Sequence, residues 1–525
     1  MGNEWTLSKF VPVNVSFSPY FRFVVWVLNV ILIFAGIIFV LQKDLSLARW
    51  IGIAGLAVAV IPLLVCYVFR MGYTFQIDYN EGWNVYHAME AVTGQLLYAN
   101  HFTWTPVNYP PISFYLVGSL GKLFHNPLLA GRVISLISLL FISLGSGIIV
   151  RRLGGNKFAA VFSSVFCLGL FVTYARGYIG MNDPQMLGQA IILTGLMIYL
   201  RDKPRWLPVA LLSCFGIFVK HNLMPIPIAI SIDILLRSRK DFLKWFLACM
   251  AIGVGFLAMI TIYLGHDFLY QLTALRGYDF GRIVTWPTRL GPALFITLLL
   301  TTPGLLQMTK RRFGRVIFLY LAISILWGLY TAGGTGTDVN IFSDFFIGLS
   351  IAAGINVEHL YKKLELFEKR TVLVPILLPL ILGFGILGRF PKLFPRPATF
   401  YQYSQKEQVF LEDADYLRSR LGPAICTNIL LCYVSGHSFI VDPFLVTEGI
   451  ISGRYQEDVL LSQIRAGYYQ VIQLEYPLDS HYCEGLSYTD VRRSEVVFTE
   501  NVLRAVGNHY VLTRKTSTGA FYEPK

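Results

Sequence analysis

The amino-acid sequence predicts a polytopic α-helical membrane protein with about twelve transmembrane helices and a small α/β domain at its C-terminal end. The mean hydropathy of the 525 residues is +0.56 and only 14% of them are charged, whereas about 25% of residues are charged in soluble domains. Apolar stretches recur from Phe21 to Gly388, and a helix needs about 20 such residues to cross a bilayer. Residues 395–525 carry mixed charge and no long apolar stretch.

The apolar stretches define the predicted spans. They lie near residues 21–41, 50–69, 130–150, 157–175, 184–200, 206–220, 223–237, 243–264, 290–307, 315–332, 341–356 and 372–389. The chain therefore divides into a transmembrane domain at residues 1–394 and a soluble domain at residues 395–525. We expect no cleaved signal peptide, because the first stretch is too long for one and lacks a small-residue cleavage site.

Lysine and arginine cluster in alternate loops between the predicted spans. The basic loops contain Lys43 and Arg49; Arg151, Arg152 and Lys157; Arg201, Lys203 and Arg205; Arg237, Arg239, Lys240 and Lys244; Lys310, Arg311, Arg312 and Arg315; and Lys362, Lys363, Lys369 and Arg370. The loops at 70–129, 176–183, 265–289 and 333–340 are poorer in these residues. Because cytoplasmic loops carry the positive excess, the second set is predicted to be external.

This topology has two further consequences. The C-terminal domain is predicted to be external, and so is the N-terminus unless the stretch at 21–41 only lies on the membrane. The net charge of +13 follows from the basic cytoplasmic loops, and it implies membrane lipids rather than nucleic acid as the partner.

The external segment at residues 70–129 has helical features of its own. Apolar residues recur at helical spacing from Gly82 to Val92, and Pro110-Pro111 opens a second apolar stretch from Ile112 to Phe124. The second stretch is too short for a span, so we expect a helix that lies at the membrane interface.

The predicted C-terminal domain alternates helical and extended patterns. Helices are predicted from Gln405 to Leu421, Gln456 to Arg465 and Glu500 to Val506, and strands from Ala424 to Val434, Phe439 to Val441, Tyr469 to Leu474 and Tyr510 to Thr513. Such alternation is typical of a small α/β domain. Its cysteines, Cys426, Cys432 and Cys483, allow one disulfide if the domain lies in an oxidising compartment.

Two carboxylates, Asp78 and Glu81, follow the second predicted span and are three residues apart. In a helix or a tight turn both would point to one side. Desolvation near a membrane surface would raise the pKa of either carboxylate toward the range of a general base. The alternative is a solvated loop in which Asp78 or Asn80 caps the helix that follows.

A third carboxylate, Asp183, precedes Pro184 at the start of a span. This pattern is typical of a helix cap followed by proline in the first turn. Asp183 is nevertheless predicted to lie on the same side of the membrane as Asp78, so it is a second candidate for an acidic site.

The external segments also contain cations. Lys220 and His221 interrupt two apolar stretches, and Arg176 and Arg282 lie in neighbouring external segments. Cations at the headgroup level can bind a phosphate of the substrate. Each of them could equally extend toward lipid phosphate, with no role in a site.

A glycine-rich external segment, Gly333 to Asn340, precedes Asp344, which lies inside an apolar stretch. Glycine lets a backbone approach a ligand closely, although a tight turn explains these glycines equally well. A carboxylate inside an apolar stretch should face the interior of the helix bundle or water. Because the polar side chains gather in the external segments, we expect the functional site at the external membrane face.

The order of these segments resembles the GT-C glycosyltransferases, in particular the bacterial relatives of dolichyl-phosphate-mannose protein mannosyltransferases and of the lipid A aminoarabinose transferase. The similar segments, within residues 70–360, are Asp78 to Trp83, Leu97-Tyr98, Asn108 to Pro111, Ala130 to Arg132, Asn182 to Pro184, Lys220 to Asn222, and Asn340 with Asp344. The resemblance implies a GT-C fold in a bacterial inner (plasma) membrane. It also implies inverting transfer of a sugar from a polyprenyl-phosphate donor to a hydroxyl of a lipid, glycan or protein acceptor.

The resemblance further implies roles for single residues. Asp78 would be the general base, Glu81 would orient the acceptor or the base, and Asp183 would complete the acidic cluster. The donor phosphate would be bound by Lys220, His221, Arg176 and Arg282, and the substrates by Tyr109, Asn182, Asn340 and Asp344. A divalent metal ion is left open, with Glu81, Asp183 or His221 as its ligands. Many members have adjacent Asp and Glu, whereas two residues separate the acids here, so the identity of the base is also left open.

Three other functions would use the same features. A transporter or flippase of lipid-linked sugars should show internal repeats and broken helices, and the sequence has no convincing repeat. A polymerase or ligase of surface polysaccharide would carry a large late external loop rich in Arg and His, whereas the polar segment here is early and acidic. A non-catalytic scaffold would tolerate changes at Asp78 and Asp183.

Overall fold

The structure of the protein is a computed structural model. It describes residues 45–98, 103–201, 205–273, 277–309, 313–366, 374–394, 397–478 and 498–525. The predicted span at 21–41 and Cys483 lie outside these residues.

The described chain before residue 395 is helical. In chain order the helices are α1 (Leu45–Arg70), α2 (Tyr79–Thr93), α3 (Ile112–Phe124), α4 (Pro127–Arg152), α5 (Lys157–Tyr174), α6 (Gln185–Tyr199), α7 (Trp206–Ile217), α8 (Pro225–Arg237), α9 (Arg239–Leu264), α10 (Phe268–Leu272), α11 (Phe280–Leu290), α12 (Pro292–Met308), α13 (Gly314–Ala332), α14 (Ser343–Leu366), α15 (Val374–Leu382) and α16 (Phe384–Leu393). Every predicted span from 50–69 onward overlaps a helix, and the span at 372–389 is divided between α15 and α16.

Six of the described helices, α1, α4, α5, α9, α13 and α14, are long and apolar enough to cross a membrane. The number rises to seven if α11 and α12, which are bent by 80° relative to each other, form one span. Helices α6 and α7 are apolar but have only 15 and 12 residues. The chain is therefore a multi-pass membrane protein, whereas the predicted count of about twelve spans is not confirmed among the described residues.

Asparagine and proline determine where several helices begin. The Asn126 side chain accepts a hydrogen bond from the Leu129 amide, and Pro127 occupies the first turn of α4. The Asn156 side chain caps α5 by the same contact, to the Ala159 amide at 2.8 Å. Proline is well tolerated in the first turn because the missing N–H would have no intrahelical partner there.

Buried apolar side chains from most of these helices form one continuous core. In the apolar window of α14, 94% of the residues are buried, against 6% in that of α9. A helix that is buried on all sides lies inside a bundle, and one that buries few residues lies at its edge. Helix α14, which carries Asp344, therefore runs through the interior of the bundle.

The chain from residue 397 forms a four-stranded sheet flanked by helices. Its elements are α17 (Pro397–Arg418), β1 (Ala424–Cys426), α18 (Ile429–Ser435), α19 (Pro443–Ile451), α20 (Glu457–Arg465), β2 (Val471–Leu474), α21 (Glu500–His509), β3 (Tyr510–Thr516) and β4 (Gly519–Pro524). The strand order is β1-β2-β4-β3, with β1 and β2 parallel and the other pairs antiparallel. The prediction of a small C-terminal α/β unit is confirmed.

Two details of that prediction are wrong. Residues 429–434, predicted as part of a strand, lie in α18, which Asn428 caps and Gly436 ends at a φ of 86°. A short apolar run buried on all sides fits a helix or a strand equally well in sequence. Phe439 to Val441 forms no strand in the described chain, and α19 and β4 were not predicted. Cys426 and Cys432 are joined by a disulfide.

The C-terminal part, defined here as residues 397–525, packs directly on α2. One apolar cluster contains Trp83 from α2 and Phe114 from α3 together with Phe410 and Leu430 from the C-terminal part. The two backbones approach closely at Gly82, where an added Cβ would lie 2.3 Å from the Leu430 nitrogen. Only glycine fits there, and the apolar core therefore continues across the domain boundary predicted at residue 395.

Candidate active site

Glu81 lies at the centre of a buried hydrogen-bond network. Its Oε1 and Oε2 accept hydrogen bonds from Arg132 Nε (2.8 Å) and Nη2 (2.7 Å). Oε2 also accepts a hydrogen bond from the backbone amide of Ile77 (2.7 Å), and Oε1 accepts one from the backbone amide of Asn182 (3.0 Å). These contacts fill the roughly four acceptor positions of a carboxylate, so Glu81 is held in place rather than available for proton transfer.

Arg132, in α4, connects this carboxylate to the turn between α1 and α2. The side chain is 1% exposed, and it donates hydrogen bonds to the carbonyl oxygens of Met71, Tyr73 and Phe75 at 2.6 to 3.0 Å. The ion pair therefore fixes the backbone that leads to Asp78. The sequence resemblance included Arg132, but no role followed from it.

Asp183 and Lys220 form a second buried pair. Lys220 Nζ lies 2.9 Å from Asp183 Oδ1 and 3.2 Å from Oδ2. Oδ1 also accepts a hydrogen bond from the backbone amide of Gln185, the first residue of α6 (2.7 Å), although the N-cap position itself is held by Pro184. Lys220 Nζ lies 5.0 Å from the centroid of the Tyr109 ring, so the ammonium group is held between a carboxylate and an aromatic face.

Asp78 is half-buried and is the N-cap of α2. Its Oδ1 accepts hydrogen bonds from Asn80 N (3.1 Å) and Nδ2 (2.8 Å), whereas its Oδ2 accepts none from the described chain. Burial raises the pKa of Asp78 to about 6. The Asn80 amide opposes the rise, and the carboxylates of Asp338 and Asp183 reinforce it. Asp78 thus combines the predicted cap with an oxygen that can accept a proton near neutral pH.

A cavity of about 390 Å³ is lined in part by Tyr79 and Asn80, the two residues that follow Asp78 in the chain. Four predicted site residues line it, namely Tyr109, Lys220, His221 and Asn340. Aromatic rings and amides complete much of the wall, including Tyr79, Asn80, Trp83, Asn108, Tyr178 and Asn222. The three predicted carboxylates, Asp78, Glu81 and Asp183, are themselves outside the lining of this cavity.

Asn182 and Asp344 lie in the protein interior, outside the lining of this cavity. The Asn182 side chain packs against Gly131, where an added Cβ would lie 1.9 Å from Asn182 Oδ1. Asp344 accepts hydrogen bonds from Gln189 Nε2 (3.2 Å) and the Tyr320 hydroxyl (3.0 Å). Asp344 therefore faces the interior of the bundle, where it is held by two neutral donors.

The two predicted arginines also stand outside the cavity lining. Arg176 is exposed, and its carbonyl oxygen accepts a hydrogen bond from Arg70 at 3.3 Å. Arg282 donates hydrogen bonds from Nη2 to the Thr337 carbonyl (2.8 Å) and from Nε to the Ala332 carbonyl (3.3 Å). Arg282 thus holds the glycine-rich segment, which supplies part of the cavity wall.

Asp338, Tyr79 and Asp442 surround the site but were not predicted. Asp338 lies in the glycine-rich segment, close enough to Asp78 to raise the pKa of that carboxylate. Asp442 lines the cavity and accepts a hydrogen bond from the Tyr79 hydroxyl. The sequence contains one signal for Asp442, because Asp followed by Pro443 is typical of a helix start. The Asp-Pro pattern does not show that Asp442 lies next to Tyr79 in the folded protein.

A metal ion was left open by the sequence. No three His, Cys, Asp or Glu side chains come close enough together to hold one in the described chain. Two of the proposed ligands, Glu81 and Asp183, are engaged by Arg132 and Lys220. The described side chains therefore do not fit a metal site with three such ligands.

No protein-family profile matches this chain, and no curated protein matches it in sequence. Solved structures do match its fold. ArnT from Cupriavidus metallidurans bound to undecaprenyl phosphate has a TM-score of 0.56 over 89% of this chain and 96% of that chain, at 11% identity. Its apo state has the same TM-score at 10% identity. The oligosaccharyltransferase AglB from Archaeoglobus fulgidus, in complex with an inhibitory peptide and a dolichol-phosphate, has a TM-score of 0.51 over 89% of this chain and 74% of that chain, at 11% identity. The chain therefore has the GT-C fold, as the sequence resemblance predicted.

Proposed function

We propose that this protein is a membrane glycosyltransferase that moves a sugar from a polyprenyl-phosphate donor to an acceptor hydroxyl. The observation that carries the proposal is that Asp78, with its raised pKa and open Oδ2, directly precedes two residues that line a cavity together with the buried Lys220. A base for the acceptor and a cation for the phosphate are the groups that this transfer requires. The GT-C fold supports the choice of donor, because the matching structures hold undecaprenyl phosphate and dolichol-phosphate.

The reaction is a single displacement. The acceptor oxygen attacks the anomeric carbon while the bond from that carbon to the phosphate oxygen breaks. Asp78 Oδ2 takes the acceptor proton, and the polyprenyl phosphate leaves with the electron pair of the broken bond. Because the attack comes from the face opposite the phosphate, the anomeric configuration inverts.

Lys220 stabilises the departing phosphate. An ammonium group has three hydrogen-bond donors, and Asp183 keeps this one charged in a buried position without using all of them. His221, Tyr109 and Asn340 are proposed to contact donor or acceptor in the same cavity. Glu81 acts as a positioning residue for Asp78 through Arg132, and Arg282 acts through the glycine-rich segment that it holds.

We propose that the site faces the outside of a bacterial plasma membrane, together with the C-terminal part. Arg151 and Arg152 end α4 about 30 Å along the helix from Arg132, and such basic clusters mark the cytoplasmic side. The disulfide between Cys426 and Cys432 is typical of a compartment outside the cytoplasm. The acceptor is a lipid, a glycan or a protein in that compartment.

The test compares the parent protein with Asp78→Asn. Both are purified and shown to be folded, and sugar release is measured from a panel of polyprenyl-phosphate sugars with acceptor-bearing membrane extract. Asparagine keeps the helix cap but cannot take the proton, so the rate should fall by about 10²- to 10⁴-fold. Asp279→Asn replaces the N-cap of α11 in the same way and should retain the parent rate.

The remaining outcomes decide between functions. Equal donor consumption by the parent and Asp78→Asn would show that Asp78 is not the base. If neither protein consumes any donor while lipid-linked sugar crosses vesicles that contain the protein, the transferase proposal fails and a flippase takes its place.

A further inference from the structure

Helix α19 begins at the cavity wall, and Asp442 is its N-cap. The carboxylate is 0% exposed. Its Oδ1 accepts hydrogen bonds from the Leu445 amide (2.8 Å) and from the Tyr79 hydroxyl. Its Oδ2 is buried and accepts no hydrogen bond within the described ranges.

The capping role of Asp442 accounts for the hydrogen bond of Oδ1 with the Leu445 amide, but it gives no reason for a buried Oδ2. Serine, threonine or asparagine would cap the helix as well without burying a second carboxylate oxygen. Buried polar atoms without a partner are rare, because such a group loses water and gains nothing in its place. Burial raises the pKa of Asp442, although the hydrogen bonds from Tyr79 and Leu445 oppose the rise. An acceptor of this kind at a cavity wall is satisfied when a ligand donates to it.

Tyr79 connects Asp442 to the proposed base. Tyr79 follows Asp78 in the chain, and its hydroxyl donates to Asp442 and accepts a hydrogen bond from the Phe444 amide (3.3 Å). The rings of Tyr79 and Phe444 lie 6.2 Å apart. The start of α19 and the start of α2 therefore share one polar contact beside the site of the proposed reaction.

The neighbouring wall indicates which ligand chemistry fits. Two aromatic residues, Trp83 and Tyr178, line the same cavity as Asn80, Asn108 and Asn222. An aromatic face can cover the apolar C–H face of a sugar ring, while amide and carboxylate oxygens accept hydrogen bonds from its hydroxyls. The lining thus suits a sugar ring with several hydroxyl groups.

We propose that Asp442 Oδ2 accepts a hydrogen bond from a hydroxyl of the sugar ring bound in this cavity, so that the C-terminal part supplies a substrate-binding residue. The proposal rests on the glycosyl transfer proposed above and identifies the substrate group that the C-terminal part contacts. The same hydroxyl chemistry is present in a donor sugar and in a glycan acceptor, and the experiment separates the two.

The test measures the affinities of the purified protein for a polyprenyl-phosphate sugar, for polyprenyl phosphate without a sugar, and for a glycan acceptor. In Asp442→Asn the side-chain oxygen can still accept the hydrogen bond from the Leu445 backbone amide. The side-chain NH₂ group then takes the place of Oδ2, so the hydrogen-bond acceptor at that position is lost. We expect this variant to bind the sugar-bearing ligand about 10- to 100-fold more weakly and polyprenyl phosphate without change. The control, Asp458→Asn, removes an exposed carboxylate of α20 and should change none of the affinities.

Each outcome has a distinct meaning. Weaker binding of the polyprenyl-phosphate sugar alone assigns the hydroxyl to the donor, and weaker binding of the glycan alone assigns it to the acceptor. Unchanged affinities in Asp442→Asn overturn this proposal and leave the transferase function standing. Failure of the parent to bind any polyprenyl-phosphate sugar overturns both. Should Asp442→Asn not fold, Tyr79→Phe removes the hydroxyl that orients Asp442 and should weaken the same ligand by a smaller factor, and its unchanged affinity would likewise overturn the proposal.

Discussion

Glu81 and Arg132 form a bidentate ion pair, with Nε–Oε1 and Nη2–Oε2 distances of 2.8 and 2.7 Å and at most 1% exposure of either side chain. Arg132 also binds three carbonyl oxygens of the turn before α2. The pair therefore joins α4 to the backbone that carries Asp78, and the position of the proposed base depends on it.

Replacing Glu81 with glutamine should destabilise the protein by about 3–5 kcal/mol, because Arg132 would remain buried without its counter-charge. Thermal unfolding of the purified protein in detergent measures the loss. The control, Asp241→Asn, breaks an exposed pair with Lys244, whose atoms are 3.9 Å apart, and should cost under about 1 kcal/mol. Equally small losses in the two variants would contradict a structural role for Glu81.

The rate of transfer should fall at acid pH. Only the ionised form of Asp78 accepts a proton, and its pKa is raised to about 6, so kcat/KM should drop about tenfold per pH unit below that value and level off above it. In Asp338→Asn one repelling charge is removed, which favours the ionised form of Asp78 and lowers its pKa. The midpoint of the pH–rate profile should then move to lower pH. A midpoint that is the same in parent and variant would argue against Asp78 as the titrating group.

Lys220→Met should lower both stability and activity. The variant leaves the Asp183 carboxylate buried without a counter-charge, at a cost of about 3–5 kcal/mol, and removes the cation proposed for the phosphate, which should slow transfer by about 10²-fold or more. The double variant Asp183→Asn/Lys220→Met removes both charges. We expect most of the stability to return and the activity to stay low. Recovery of activity in the double variant would mean that Lys220 serves the fold alone.

Gly82→Ala should separate the C-terminal part from α2. An added Cβ would lie 2.3 Å from the Leu430 nitrogen, a backbone atom that cannot move alone, and overpacking of this kind costs about 1–3 kcal/mol. Limited proteolysis and thermal unfolding detect the separation. Gly253→Ala, in α9, meets no atom within 4 Å and should be neutral or gain up to about 1 kcal/mol. Similar behaviour of the two variants would refute tight packing at Gly82.

Much of the fold could be predicted because a membrane-spanning helix is recognisable from a continuous apolar stretch of the sequence. The helices α4 to α9, α12 and α13 appear in the sequence as apolar stretches, and their boundaries agree with the predicted spans within a few residues. Helices α10 and α11 lie in the segment 265–289, which was predicted as an external loop, and α14 continues ten residues beyond its predicted end. The other errors fall on short elements. Residues 429–434 could not be distinguished from a strand, since an apolar run of that length fits either pattern.

The site was predicted in part for a related reason. Asp78 and Asp183 lie in the short polar segments next to predicted spans, and Lys220 interrupts two apolar stretches, so all three stand out in the sequence. Their contacts are not visible. The pairing of Asp183 with Lys220 joins residues 37 positions apart, and no periodicity indicates which cation a carboxylate will meet.

The sequence by itself determined that the chain crosses a membrane several times and that its polar side chains gather in alternate loops, because hydrophobic length and charge are local properties. Tertiary structure decided what each of those side chains does. It bound Glu81 to Arg132, left Asp78 Oδ2 open, and brought Asp442 to Tyr79 across 363 positions. The physical reason is that hydrogen bonds and desolvation depend on distances between residues remote in sequence, which only the packing of α2 against α4 and the C-terminal part establishes.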